Sequence, residues 1–143
     1  LGQMPKILRD PVREAHVHET GEDWSANSED ENIIIHHGAW AEEYPAGYLE
    51  EAMMHETVHV ALDPKHAESN GWYDAQDADD VFVSIYAEEN PDTEDLAEFF
   101  PLYYAWAVTP DRLSEEVYET IDSMFPARLD YLSKHFPKEI LGL

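Results

Sequence analysis

Residues 55 to 59 read His-Glu-Thr-Val-His, inside the longer run LEEAMMHETVHVALD at 49–63. Two histidines four apart on a helix lie on one face, one turn apart, so their ring nitrogens can converge on one ion. Glu56, beside His55, can reach a water on that ion while standing off the ligand direction. Two neutral nitrogen ligands plus a base are what metal-assisted hydrolysis needs. The spacing alone carries limited weight, since a chain this rich in His and Glu would produce it by chance in roughly one case in twenty. Its position adds weight. The motif lies inside an otherwise apolar helix, where two unpaired imidazoles and a carboxylate are costly and a metal ion removes the cost.

Any transition-metal site here is built from His, Asp and Glu, because the chain has no cysteine. Catalytic zinc takes three protein ligands and keeps a fourth position for water. A third ligand is offered downstream by ENPDTEDLAEFF (89–100), where Glu94 and Glu98 are four apart and share a helix face with Leu96, Phe99 and Phe100 buried nearby. Two acids on an inner face call for a cation. The reading adopted is Glu94 as ligand, with Glu98 orienting a ligand histidine through its second ring nitrogen. The exchange of the two glutamates stays open at this point. Asp63, four after His59, can accept a hydrogen bond from it or cap the end of its helix.

These residues need elements to hold them. REAHVH (13–18) alternates weakly and reads as a strand, and the polar stretch 19–32 reads as a loop. Ile33 to His37 is short, β-branched and closed by Gly38, so it reads as a second strand. Residues 41–47, with Pro45 and Gly47, form a connection. The active-site helix covers about 48–62, with Leu49, Ala52, Met53, Val58 and Leu62 apolar, Glu50 and Glu51 in the first turn, and Pro64 ending it. DAQDADDVFVSIYAEE (74–89) reads as a helix burying Val81, Phe82 and Ile85. Thr93 is read as the N-cap of a helix from Glu94 that Pro101 kinks or restarts. Thr109 and Pro110 open another helix, and 126–136 forms the last. The fold class is α+β in a single domain over 1–143, with strands followed by helices.

The balance of 8 Lys and Arg against 32 Asp and Glu gives a net charge of −24, which repels nucleic acid and anionic membrane. A solvated surface is the plain reading of that charge, and attraction of cationic substrates the functional one. No apolar run is long enough to be inserted in a membrane. The first residue, Leu1, suits a processed form or a fragment. A soluble setting is expected, secreted or extracellular being favoured.

HETVH, then Tyr86, then Glu94-x-x-Ala97-Glu98 with Phe99 following, resembles the gluzincin metallopeptidases, and within them the group around anthrax lethal factor and the Pro-Pro endopeptidases. The likeness covers roughly residues 30–105 and is nearest in FVSIYAEENPDTEDLAEFF (82–100). It implies a small zincin-like domain with one Zn2+ on His55, His59 and Glu94. It implies Glu56 as general base and proton shuttle, Tyr86 as donor to the oxyanion, and Glu98 as the partner of a ligand histidine. The strand at 33–37 then resembles an edge strand that binds an extended peptide or protein substrate, through Ile35, His36 and His37. The Tyr86-to-Glu94 interval is longer than in lethal factor, and the chain is short for a two-lobed peptidase.

The expected function is zinc-dependent endopeptidase. Its alternative is a catalytically silent zinc-binding interaction domain of the same fold, against which Glu56 speaks. A third reading is an acidic domain that binds no metal. His36 and His37 point to opposite faces of their strand, where one can line the cleft and ordinary strand packing is the plainer reading. His16 and His18 read as solvated, Trp72 and Tyr73 as loop packing, and DAQDADD (74–80) lacks the glycine and terminal glutamate of a calcium loop.

Overall fold

The computed structural model describes Gly2 and residues 4–19, 24–36 and 48–142. Its elements, in order, are α1 (Lys6–Arg9), β1 (Glu14–His18), β2 (Ser25–Asn27), β3 (Asn32–His36), α2 (Tyr48–Ala61), α3 (Asp63–His66), α4 (Asn70–Asp79), α5 (Ile85–Glu89), α6 (Asp95–Val108), α7 (Glu115–Met124), α8 (Pro126–His135) and α9 (Lys138–Leu141). The expected α+β class holds at this level: a three-stranded sheet and a set of helices. No described helix is long and apolar enough to cross a membrane.

The sheet order corrects the strand expectation. β3, read as an edge strand, is central, with β1 parallel on one side and β2 antiparallel on the other. The β3 carbonyl of His36 is taken by the Trp24 indole N–H at 2.9 Å. Among the described residues, β3 is therefore paired on both sides over Asn32–Ile34 and is not the free edge expected for a substrate. Among the described residues the edge nearest α2 belongs to β2, which lies in the stretch read as loop. β2 is three polar or small residues long, as edge strands often are, and shows no apolar alternation to announce it.

The core forms where α2 packs on α6, with α4 on α8 and α1 closing the side of α2. Met54 and Val58 from α2, and Leu62 just after it, share one buried cluster with Leu96, Phe99, Phe100 and Tyr103 from α6. Burying one such side chain contributes about 1.5–3 kcal/mol, so this seam fixes α2 against α6 before any polar group acts. Trp72, expected to pack a loop, is fully buried on α4.

Local chemistry moves three helix boundaries. The helix expected over 74–89 is two helices. Ser69 accepts a hydrogen bond from the Trp72 N–H and starts α4, and Asp80 ends it in the left-handed region, φ 53°, which Asp tolerates. Ser84 then starts α5 by accepting from the Ala87 N–H at 3.0 Å. Ile85 is consequently 73% exposed rather than buried. α6 begins at Asp95 with Glu94, not Thr93, in the capping position, and runs unbroken through Pro101. Pro110 opens a short 3-10 turn, and α7 starts later, capped by Ser114.

Candidate metal centre

α2 presents His55 and His59 one turn apart, with their rings edge to face and centroids 4.7 Å apart. The Nε2 atoms are 3.0 Å apart. The start of α6 brings Glu94 Oε2 to 3.2 Å from His55 Nε2 and 3.3 Å from His59 Nε2. Three donor atoms thus form a nearly equilateral triangle. Tetrahedral zinc with bonds of about 2.0–2.1 Å separates its ligand atoms by about 3.3 Å, so the triangle has the size of one tetrahedral face. Among the described residues, His55, His59 and Glu94 form a group able to hold a metal ion.

The other ring nitrogens are fixed by carboxylates. His59 Nδ1 donates to Asp63 Oδ2 at 2.5 Å, and His55 Nδ1 faces Glu98 Oε1 at 3.3 Å. Glu98 is itself held, accepting from the Ser84 hydroxyl at 2.9 Å. This separates the two glutamates. Glu94 reaches both Nε2 atoms, and Glu98 reaches the opposite nitrogen of His55. With each Nδ1 facing a carboxylate, Nε2 is the nitrogen turned toward Glu94 and the one a metal ion would take.

The electrostatics call for about two positive charges. Asp63, Glu94 and Glu98 crowd two half-buried imidazoles. Burial works against charging His55, but its bonds to Glu94 and then Glu98 outweigh that and raise its pKa from 6.5 to about 9. Burial likewise opposes charging His59, yet Asp63 and Glu94 hold it at about 10. Burial would raise Glu94, and hydrogen bonds to His55 and His59 instead hold it well below the usual carboxylate range. The bond to His55 depresses Glu98. Two protons or one dication supply the same charge, and the donor set of two imidazoles and a carboxylate suits zinc.

Glu56 is 7% exposed and points into the same cleft. Burial raises its pKa, against the pull of His55 and His59. A carboxylate shifted upward is a stronger base. Tyr86 lines the cleft opposite and is 52% exposed. Burial and then Glu94 raise its hydroxyl pKa, which keeps it a proton donor near neutral pH.

The cleft has a volume of about 700 Å³. Trp24, Ser25 and Ala26 of the β2 segment form one wall. Of the residues expected to contact substrate, Ile35 and His36 are not among those lining it, and His36 is packed at 6% exposure with its ring 5.3 Å from that of His18. His37 lies outside the described residues. His16 sits on the exposed β1, 3.1 Å from Glu14. Asp79, from the acidic run at 74–80, accepts from the Ala127 and Arg128 N–H groups at the start of α8.

The sequence reading missed β2 and Ser84. A serine just before IYAEE is a helix-start signal that would have found Ser84.

No family model, curated protein or solved structure matches the chain. The likeness to gluzincins therefore rests on HETVH, Tyr86, Glu94 and Glu98 as residues.

Proposed function

We propose that the chain is a zinc-dependent endopeptidase whose metal is held by His55 Nε2, His59 Nε2 and a Glu94 carboxylate oxygen. The observation that carries this reading is the triangle of three ligand atoms, 3.0–3.3 Å apart, each histidine fixed from behind by its own carboxylate. Bound zinc supplies a Lewis acid that polarises the scissile carbonyl and acidifies a water.

The chain's own residues do the rest. Glu56 removes a proton from the attacking water as its oxygen bonds to the carbonyl carbon. The same carboxyl then delivers that proton to the departing nitrogen as the C–N bond breaks. Tyr86 donates a hydrogen bond to the oxyanion that develops on the carbonyl oxygen. Asp63 and Glu98 keep the imidazoles in the tautomer that leaves Nε2 free. The substrate lies extended along β2, the edge beside α2, where backbone pairing favours an unfolded peptide.

The test is metal content by elemental analysis, on protein purified without a metal-affinity tag, combined with a broad peptide-library digest. One zinc per chain, cleavage abolished by a chelator, and cleavage lost in Glu56→Gln at unchanged zinc content are expected. Full activity in Glu56→Gln removes the assigned base. Stoichiometric zinc without any cleavage leaves the silent binding module, and no uptake of added zinc leaves neither.

A further inference from the structure

Behind the proposed centre, in the helical core, lies a charged residue that the reaction does not use. Arg128, on α8, is 0% exposed. Its Nε donates to Asp95 Oδ2 at 3.0 Å, its Nη2 to Asp95 Oδ1 at 3.2 Å, and its Nη1 to Asp79 Oδ2 at 3.2 Å. Four aromatic rings enclose the guanidinium, the nearest being Phe82 at 5.1 Å. Burying an ion pair costs desolvation that apolar residues of similar volume would avoid. Stability alone is thus a weak reason for it, and what the pair touches becomes the informative fact.

It touches the start of α6. Asp95 follows Glu94 directly and is 0% exposed. Glu94 occupies the capping position of α6 and makes no side-chain cap bond, so its own side chain does not secure the turn it belongs to. Asp95 secures it instead, with both carboxylate oxygens engaged. Gln76, on α4, adds a third hold: its Nε2 donates to Asp95 Oδ2 at 2.9 Å and to Pro91 O at 2.8 Å. The α5–α6 connection is thereby tied at both ends to one amide. Successive helix residues are about 100° apart around the axis. Pinning Asp95 toward α4 and α8 therefore sets which way Glu94 and Glu98 face. A second route leads from the same guanidinium through Phe82 to Ser84, two residues on, whose hydroxyl holds Glu98.

We propose that Arg128 and Asp95, with Gln76, are positioning residues that rotate the first turn of α6 so that Glu94 meets both histidines. This rests on the metal reading above. The pair acts from the side of α6 away from the cleft and touches neither ligand histidine. Its work is to hold one carboxylate oxygen where two nitrogens converge, and a shift of about 1 Å is enough to lose that.

The test separates positioning from stability. The double variant Asp95→Leu/Arg128→Met removes that pair together and refills the volume, while Asp79, also buried, keeps its bonds from the backbone N–H groups of residues 127 and 128. Leu132→Ala, a fully buried residue of the same helix, serves as the destabilised control. Zinc affinity is measured by competition with a chromophoric chelator, on protein shown to be folded by near-UV circular dichroism, alongside Tm. The double variant is expected to bind zinc about 10–100-fold more weakly, while Leu132→Ala lowers Tm and binds zinc as the wild type does. Should the double variant not fold, Gln76→Met is measured in the same way, with a several-fold weakening expected. Wild-type affinity in a folded double variant, or in Gln76→Met where that is the variant measured, overturns the positioning role and leaves the centre intact. A wild-type chain that takes up no zinc overturns the centre itself.

Discussion

His59 and Asp63 stand one helical turn apart, with Nδ1 of the imidazole 2.5 Å from Oδ2 of the carboxylate. α2 ends at Ala61 and α3 begins at Asp63, so the acid sits where the chain leaves the helix of the two proposed histidine ligands. The contact commits the Nδ1 proton and turns Nε2 toward Glu94. Asp63→Asn keeps the shape and removes the charge. It is expected to weaken zinc binding about 10–100-fold with little change in fold. Glu98→Gln, whose parent contact is longer at 3.3 Å, is expected to weaken it less. Isothermal titration of both variants checks the order, and equal affinity for wild type and Asp63→Asn contradicts it.

In the proposed centre protons and zinc would compete for the same nitrogens, which is expected to make both binding and stability depend on pH. His55 and His59 have folded pKa values of about 9 and about 10 with protons as the only cations. Zinc must displace those protons, so its apparent affinity rises with pH up to about 9–10, and near neutral pH binding releases close to two protons. For chelator-treated protein the sign is as follows. A raised histidine pKa contributes stability that is complete below the unfolded value of 6.5 and lost as pH rises through 9 to 10. The depressed Glu94 contributes stability present above 4.5 and lost as pH falls further. Chelated protein is thus expected to unfold most reluctantly between about pH 4.5 and 6.5, and zinc-loaded protein to keep its Tm at higher pH. Urea midpoints against pH, with and without zinc, decide the matter. A flat profile for the chelated protein above pH 7 counts against the cluster.

Tyr86 sits on a short helix and is half exposed, with its hydroxyl toward Glu94. A donor that acts only on the developing oxyanion affects kcat more than KM. Tyr86→Phe is expected to lower kcat about 10²–10³-fold, with KM within a few-fold and zinc content unchanged. A loss confined to KM assigns Tyr86 to substrate binding instead.

Much of the centre was legible because helical periodicity is a local rule. His55 and His59, Glu94 and Glu98, and His59 and Asp63 are each four apart, so each pair could be placed on one face without any tertiary knowledge. What brings α2 to α6 is less local. The packing of Val58 and Leu62 on Phe99 and Phe100 could be expected only as burial on each helix separately. β2 could not be read, because Ser25, Ala26 and Asn27 carry no apolar alternation and pair only through backbone. The edge reading of β3 came with the resemblance to the gluzincins, and no residue of 25–27 announced a strand that would correct it. The break after Asp79 was hidden because Val81, Phe82 and Val83 continue an apolar pattern while the backbone reverses at Asp80. Arg128 and Asp95 lie 33 positions apart, and nothing in either neighbourhood announces the pair.

The acidic surface leads to a prediction about substrates. The chain carries a net charge of −24, and Glu68 and Asp92 stand exposed on the cleft wall with Lys65 as a cation beside them. A field of that sign gathers basic peptides and repels acidic ones before any contact is made. Screening shortens its reach from about 30 Å at 0.01 M salt to about 8 Å at physiological ionic strength. Peptides with Lys or Arg near the scissile bond are therefore expected to show the higher kcat/KM at low salt, and to lose several-fold of it as salt rises, through slower capture rather than slower chemistry. Neutral peptides of the same length are expected to change little. Glu68→Gln with Asp92→Asn should narrow the gap between basic and neutral peptides while leaving kcat for neutral ones near its original value. Library cleavage with no basic preference and no response to salt returns the charge to solvation alone.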